Sequence, residues 1–404
     1  MTTLWATIIV LGVLVTVHEL GHFMAARSVG VRVDRFSIGF PPRLFTFTSI
    51  NGGWIFRFFF YHRNKDNTFS WGPIFEKTFG NKQRVGSNTE YCLAIVPLGG
   101  YVKMAGTIDE SLNDNITNAD DELMSKTPLQ QVWVMSAGVL MNVLLAFVLF
   151  TGIARYMGIP ELSDKPIIAQ LVPEMPAQAA GLQVGDQILE INHEVVETWS
   201  DISTKIHPKP NTQILLKIQR NTDEFDIDIT TKYQVAVIDG HIDTLGAIGI
   251  IQNYSYRPIG MIEALKAGSI ATVNGFGMII MSLSMLASGE ASMKDIGGPI
   301  MIAQLAGKTA KAGWAALLTF MALISCNLAF INILPIPGLD GGHIFIIIIE
   351  GIIRRKLRIK TRMRIQQVGM AFLLLLIATE IVWDLSAAEI PVVTPSLASI
   401  ETVK

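Results

Sequence analysis

Long apolar runs alternate with polar segments along the chain. Three runs reach the roughly 20 residues that a helix needs to cross the hydrocarbon core of a bilayer, namely Leu4–Ala26, Val132–Ile153 and Trp314–Leu334. A fourth run, Val368–Trp383, is shorter but rich in phenylalanine and leucine, so it spans if it tilts little. The pattern predicts an α-helical multi-pass membrane protein with four transmembrane helices.

A fifth apolar segment, Ala267–Gly289, competes with this count. It carries no charge before Glu290, so hydropathy alone allows it to span. Serine, threonine and asparagine interrupt it, which favours a helix that lies in the outer interface or packs on the spans. A fifth crossing stays open as the alternative.

Basic residues indicate the orientation, because cytoplasmic loops carry an excess of lysine and arginine. Arg27, Arg32, Arg35 and Arg43 follow the first run, and a basic cluster occupies residues 354–364 between the third and fourth runs. Both connections are therefore expected in the cytoplasm. Both termini and the segment between the second and third runs are then extracytoplasmic.

Composition agrees with a membrane protein. The 404 residues are 50% hydrophobic and 16% charged, with a mean hydropathy of +0.42, so the lipid bilayer is an expected partner. A net charge of −2 gives no broad basic field, and no nucleic acid partner is expected. Cys92 and Cys326 match neither a disulfide framework nor a cysteine zinc site.

Between Pro160 and Lys232 the pattern changes to short strands separated by turns. The predicted strands are Ile167–Val172, Gln187–Ile191, Ile214–Ile218 and Phe225–Ile229. The run PAQAAGLQVGDQILEIN, residues Pro176–Asn192, resembles the peptide-binding PDZ fold. That resemblance implies one PDZ-like β-rich domain that contacts a peptide or protein; an unrelated small β domain is the alternative.

The motif His18-Glu19-Leu20-Gly21-His22 lies inside the first apolar run. Two histidines four residues apart on a helix share one face and can bind one metal ion, and the glutamate beside them can act as a general base. Ionisable groups at membrane depth are costly unless paired or metal-bound, so they indicate a functional site. The motif also favours a retained span over a cleaved signal peptide.

A catalytic zinc site needs a third protein ligand, and Asp340 is the best candidate. Prolines and glycines around it break the helix near the cytoplasmic end of the third run, and broken backbone at that depth is tolerated only beside protein or a water-filled cavity. His343 is a rival ligand, and a helix cap is the alternative role for Asp340. Two histidines and a carboxylate also suit iron, but the adjacent Glu19 favours zinc.

Together these segments resemble the site-2 intramembrane metalloproteases, specifically the bacterial regulator-of-sigma-E protease type. HELGH lies in the first span, VPLGGYVKM (Val96–Met104) follows it, and NILPIPGLDGG (Asn332–Gly342) ends the third. The resemblance implies that His18, His22 and Asp340 bind zinc and that Glu19 is the catalytic base. It also implies substrate contacts, for which the candidates are Asn332, Asn142, Gly99, Gly100, Tyr101 and Val102.

The resemblance further implies a membrane-associated β-hairpin on the cytoplasmic side that includes Gly99–Lys103. Its edge would pair with an unwound segment of the substrate, because a transmembrane helix hides its peptide bonds in its own hydrogen bonds. Two features depart from the family pattern. Only one PDZ-like unit is visible where well-known members have two, and Val139 stands where proline is usual.

The predicted organisation divides the chain at the following boundaries: first span 1–27, β-hairpin region 28–127, second span 128–156, PDZ-like domain 160–235, interfacial helices 258–312, third span 313–342, basic segment 343–365, fourth span 366–385 and tail 386–404.

The expected function is zinc-dependent cleavage of single-span membrane proteins. By resemblance, the substrates are anti-sigma factors or remnant signal peptides, the location is the bacterial cytoplasmic (inner) membrane, and the active site faces the cytoplasmic side. A protease for soluble or peripheral substrates is one alternative. A membrane-anchored PDZ scaffold or inactive relative is another, although a scaffold has no use for His18, Glu19, His22 and Asp340 at these depths.

Overall fold

The computed structural model describes residues 2–63, 69–80, 85–107, 117, 119–238, 241–289 and 298–387. The predicted tail therefore lies outside the described residues from position 388 onward. The chain divides into two compact units: Met1–Ile153 together with Leu265–Lys404 forms one, and Ala154–Ala264 forms the other.

The described helices are α1 (Thr2–Ser28), α2 (Pro128–Met157), α3 (Pro176–Ala179), α4 (Trp199–Ile206), α5 (Met261–Ser288), α6 (Pro299–Ala312), α7 (Trp314–Ile333), α8 (Asp340–Ile353) and α9 (Ile359–Ala387). The first four strands are β1 (Val33–Ile50), β2 (Gly53–Arg63), β3 (Phe69–Phe79) and β4 (Glu90–Met104). The others are β5 (Ile159–Leu162), β6 (Ile168–Leu171), β7 (Gln187–Ile191), β8 (Glu194–Val195), β9 (Gln213–Arg220), β10 (Asp223–Thr230), β11 (Lys232–Ile238), β12 (His241–Ala247), β13 (Ile250–Gln252) and β14 (Tyr254–Arg257).

Five of the described helices are long and apolar enough to cross a membrane, by length and composition: α1, α2, α5, α7 and the Ile359–Glu380 part of α9. These apolar helices agree with the predicted membrane class. The segment expected to lie at the interface forms the continuous helix α5, which also qualifies by composition.

Helices α1, α6 and α7 share one apolar cluster, in which Ala306 represents α6. Ala6, Val10 and Leu14 of α1 share a core cluster with Leu317 and Met321 of α7. Residues four apart lie on one face of a helix, so the three residues of α1 form a continuous apolar stripe. The stripe positions the end of α1 that carries the histidines beside the end of α7.

Helix α5 packs on the other helices through glycines. A Cβ atom on Gly268 would lie 2.0 Å from Thr151 Oγ1 of α2, and one on Gly275 would lie 3.2 Å from Cys326 Sγ of α7. Small residues allow this close approach of helix backbones. The helix is therefore attached to α2 and α7 over this part of its length.

Residues 343–365 differ from the predicted basic segment. The first part belongs to α8, an isoleucine-rich helix, and the basic cluster begins only at Arg354, where α8 ends. Helix α8 has 14 residues and is about 21 Å long, so it is too short to cross a hydrocarbon core of about 30 Å.

The segment between α1 and α2 forms a sheet in the order β3-β2-β1-β4, larger than the predicted hairpin. Residues 35–38 of β1 lie between two parts of β4, because they pair with residues 100–103 on one side and with residues 90–93 on the other. Strand β4 must therefore bend around this part of β1. Residues 43–48 of β1 then pair with 90–94 from the opposite side. Among the described strands, segment 100–104 thus pairs on one side only and forms the terminal edge of the sheet.

The second unit contains the four-stranded sheet β10-β9-β7-β8. Its core is made of buried aliphatic side chains, including Ile188, Leu216 and Ile218. The predicted strands correspond to β6, β7, β9 and β10. The unit extends beyond the predicted boundary at 235, because β13 pairs with β6 and β14 pairs with β5.

A buried ion pair supports this unit. Asp186 is fully buried, and its two carboxylate oxygens accept hydrogen bonds from Arg220 Nε and Nη2 at 2.7 and 2.8 Å. The backbone amide of Gln183 donates a further bond at 2.8 Å. Burial alone would raise the pKa of Asp186, but the bonds from Arg220 and Gln183 outweigh it and hold the pKa below its ordinary value.

We expect Asp186→Asn to lower the local opening free energy of this sheet by about 1.5–3 kcal/mol, because charge-assisted hydrogen bonds are lost. The folded pKa lies below the unfolded value of about 3.9, so this stabilisation is complete above that pH and is lost as the pH falls through the folded pKa. Amide hydrogen exchange of β7 and β9 in the full chain, corrected for intrinsic rates, measures both effects. Wild-type protection should fall more steeply with acidification than that of the variant.

Glu194→Gln is the matched control, because Glu194 is exposed and pairs with Lys205 at the surface. Its exchange should match the wild type, since exposed ion pairs contribute little. Equal protection in Asp186→Asn and wild type would contradict the stabilising role of the buried pair.

Candidate metal centre

Helix α1 presents both histidines on one buried face. His18 and His22 are 8% and 5% exposed, and their four-residue spacing places them one above the other. His18 Nε2 and His22 Nε2 lie 3.2 Å apart. The periodicity of α1 therefore brings together two of the three candidate ligands.

A broken helix brings Asp340 to the same point. Helix α7 ends at Ile333, prolines follow, and α8 begins at Asp340. Helix α9 holds the loop between them: Gly338 N donates to Gln366 Oε1, and a Cβ on Gly369 would lie only 2.0 Å from Pro337 O. Gln366 is a support that sequence reasoning missed, because nothing local connects it with the loop.

The three side chains have the geometry of a metal site. Asp340 Oδ2 lies 3.1 Å from His18 Nε2 and 3.2 Å from His22 Nε2. Ligand atoms about 2.0–2.1 Å from one tetrahedral zinc ion lie roughly 3.3–3.4 Å apart, which is close to these distances. Within the described part of the chain, Asp340 Oδ2 is buried and no donor meets it with hydrogen-bonding geometry. The three atoms therefore fit a shared cation.

Groups behind the histidines orient their rings. His22 Nδ1 lies 2.8 Å from the carbonyl oxygen of Val134 and donates to it, which leaves the Nε2 lone pair free. His18 Nδ1 lies 3.1 Å from the side-chain amide of Asn142. Metal-binding histidines commonly use the second nitrogen in this way.

Helix α2 approaches the centre through a glycine. A Cβ on Gly138 would lie 2.4 Å from His22 Nε2 and 2.8 Å from His18 Nε2. Gly21 has the same function on α1, since its Cβ would lie 2.4 Å from Ala137 O. Only glycine at both positions allows α1 and α2 to come this close around the ligands.

Glu19 belongs to α1 and lies beside the edge segment 100–104 of β4. The backbone of Val102, in the edge segment, lies next to the Glu19 carboxylate. Gly99 and Gly100 permit the tight bend of β4 before it, because a Cβ on Gly99 would meet the Phe40 ring at 2.4 Å and one on Gly100 would meet Ser37 O at 2.5 Å. The edge segment and the candidate base are thus direct neighbours.

The other candidates lie at different distances from the centre. Asn332 Nδ2 is 3.5 Å from His18 Nε2, whereas Asn142 is fully buried behind His18. The Tyr101 hydroxyl accepts a hydrogen bond from Arg35 Nη1 at 3.0 Å. His343 is one turn beyond Asp340 and is absent from the described three-residue cluster; it lines a cavity with Gln131 and other residues instead.

Comparison with known proteins finds relatives over most of the chain. The model of peptidase family M50 matches residues 6–66 and 71–376. A protein of Clostridium perfringens named as a zinc metalloprotease is 34% identical over 362 residues, which cover 89% of this chain and 92% of that protein. The regulator of sigma-W protease RasP of Bacillus subtilis is 28% identical over 424 residues, covering 95% and 97%.

One solved structure, the PDZ domain of an SdrC-like protein from Listeria monocytogenes, covers 23% of this chain and 93% of its own length. It is 19% identical, and the TM-score is 0.19.

We expect Gly138→Ala to reduce bound zinc at least about tenfold, because the new methyl group would displace both imidazoles. Gly152→Ala on the same helix is the control, since its Cβ would meet no atom within 4 Å. Metal analysis of both purified variants measures the difference. Normal zinc content in Gly138→Ala would contradict the close packing of α2 against the centre.

Proposed function

The chain belongs to peptidase family M50, and we propose that it cuts single-span membrane proteins inside or beside the bilayer. It is a zinc-dependent metalloendopeptidase, as the family match and the names of its relatives show. The convergence of His18, His22 and Asp340 within apolar helices is the observation that carries the proposal. These three residues are the zinc ligands in this proposal, and Glu19 is the catalytic base.

The donor set suits this assignment. Two imidazoles and one carboxylate make a three-residue zinc site that leaves a position open for water. When bound, zinc supplies a Lewis acid that polarises the scissile carbonyl and lowers the pKa of a coordinated water. The ligands lie among helices that carry mainly apolar side chains, which limits access of bulk water.

Glu19 takes the proton of the attacking water and delivers it to the nitrogen of the leaving amine. Its position next to the two histidines in sequence and beside the edge segment in space supports this role. Asn332 donates an amide hydrogen to the substrate carbonyl or to the oxyanion that forms from it. Its distance of 3.5 Å from His18 Nε2 supports a place at the reacting bond.

The edge segment 100–104 holds the substrate as an added strand. A transmembrane helix must unwind before its peptide bonds are accessible, and unpaired backbone groups are costly at membrane depth. Pairing with a sheet edge satisfies them and holds the chain extended. The one-sided pairing of this segment and its position next to Glu19 support the arrangement.

Four helices, α1, α2, α7 and α9, cross the bilayer in this proposal. Cluster contacts and the approach of Asn332 to His18 indicate that α1 and α7 run in the same direction. Because α2 returns the chain after α1, the segment between α2 and α7 crosses an even number of times. Helix α6, about 21 Å long, is too short to reverse a crossing by α5. This supports α5 as a helix packed on the spans.

Anti-sigma factors or remnant signal peptides are the proposed substrates, and the name of the Bacillus subtilis relative supports the first. The basic residues after α1 and after α8 support a catalytic end of the bundle that faces the cytoplasm. The second unit and both termini are then extracytoplasmic. We assign the second unit a PDZ-like role in contacting peptides or proteins, on the strength of the Pro176–Asn192 run.

Glu19→Gln should lower cleavage of a tagged single-span substrate by about 10²–10⁴-fold while zinc is retained, because only the proton acceptor is lost. His22→Ala should lose both cleavage and zinc. The measurement combines product formation in membranes with metal analysis of the purified proteins. Unchanged cleavage in both variants, or a wild type without zinc, would favour the membrane-anchored scaffold instead.

Val102→Pro tests the strand-pairing proposal, because proline removes the backbone donor at the sheet edge. We expect kcat/KM to fall about tenfold with zinc retained, the size of one hydrogen bond. Val102→Ala keeps the donor and should cleave nearly as well as wild type. Equal losses in both variants would indicate that the side chain matters and would overturn pairing at this edge.

A further inference from the structure

The two ring nitrogens of His18 face different partners: Nε2 faces the candidate metal centre, and Nδ1 faces helix α2. Nε2 faces His22 and Asp340, so it is the nitrogen that must present a lone pair to the cation. A neutral imidazole then carries its hydrogen on Nδ1. That hydrogen needs an acceptor, because His18 is buried and an unsatisfied donor in an apolar environment is costly.

His22 shows how this requirement is met. Its Nδ1 faces the carbonyl of Val134, a group that can only accept. Among the described residues, the group facing His18 Nδ1 is instead the side-chain amide of Asn142, whose Nδ2 lies 3.1 Å away. The side-chain amide of Asn142 can either donate or accept, so its orientation decides the tautomer of His18.

The hydrogen-bond inventory of Asn142 indicates which end faces the imidazole. Asn142 is fully buried, and its Oδ1 has no partner among the described residues. The two ends of an amide have nearly the same shape, and the surrounding network decides between them. In the structure Nδ2 is the end of the amide that lies nearer to His18 Nδ1. A half-turn of the amide exchanges its two ends, so that Oδ1 accepts the Nδ1 hydrogen and the NH₂ group takes the position of the unpartnered oxygen.

We propose that Asn142 is a positioning residue that accepts the His18 Nδ1 hydrogen and thereby holds His18 in the tautomer that binds zinc through Nε2. This inference rests on the proposed ligand set. It gives Asn142 a role on the ligand rather than on the substrate. The complete burial of Asn142 behind the imidazole agrees with that role.

Helix α7 fixes Asn142 in place. Ser325 Oγ donates to the backbone oxygen of Asn142 at 2.8 Å, and Ser325 is fully buried. A mid-helix serine in an apolar segment gains from such an interhelical bond. Ser325 of α7 therefore holds Asn142 of α2, which in turn contacts His18 of α1.

Zinc affinity tests the proposal without relying on cleavage. The full-length protein is titrated with a chromophoric chelator, and the zinc dissociation constant is compared between wild type, Asn142→Asp and Asn142→Leu. Loss of an acceptor behind a histidine ligand typically weakens metal binding about 10–100-fold, so we expect that loss in Asn142→Leu. Asn142→Asp should bind zinc at least as tightly as wild type, because an ionised carboxylate only accepts.

The aspartate variant separates positioning from general packing. Weak zinc binding in Asn142→Asp together with Asn142→Leu would show that the amide donor or the packing matters, and would overturn the proposal. Wild-type affinity in Asn142→Leu would overturn it as well.

Asn332→Leu is the matched control for the affinity measurement. It removes another buried amide close to His18, but on the Nε2 side, and should leave zinc affinity within about threefold of wild type. A comparable loss in this variant would mean that any nearby amide supports the site, against a specific role for Asn142. If the wild type itself binds no zinc, the ligand assignment fails instead, which distinguishes the two failures.

Discussion

The structure depends on the cost of placing two imidazoles and a carboxylate inside an apolar helical bundle. Each group alone would lose several kcal/mol of hydration, and only mutual contact or a cation offsets that loss. Much of the nearby packing serves this requirement. Gly138 and Gly21 let α1 and α2 approach, the proline-rich loop turns Asp340 inward, and Gln366 holds the loop against α9.

Sequence reasoning succeeded where a local pattern marks the residue, whether or not its contact is local. His18 and His22 meet because a helix repeats every 3.6 residues, and the expectation that Asp340 approaches them followed from a broken helix in an apolar context. It did less well with the sheet, because the interleaving of β1 and β4 depends on bends and pairings between distant residues. The roles of Val134 and Gln366 depend on contacts across more than one helix, for which no local signal exists.

The glycines of α5 show another limit of pattern analysis. Composition makes α5 equivalent to a span, yet its contacts with Thr151 and Cys326 attach it to two other helices. Hydropathy measures the preference of a segment for an apolar environment and does not distinguish lipid from protein. The directions of the neighbouring helices distinguish the two cases. They fix whether the chain between two spans crosses the membrane an even or an odd number of times.

The position of the sheet edge links recognition to chemistry. Helix α1 carries Glu19 and contacts the edge segment, so a strand added there would approach the base and the metal ligands together. An unwound substrate needs new partners for its backbone groups at the same depth where water is scarce. A rigid edge supplies those partners at a fixed distance from the ligands. Under the strand-pairing proposal, the enzyme selects extended over helical chains because the unpaired backbone groups of the sheet edge lie next to the catalytic residues.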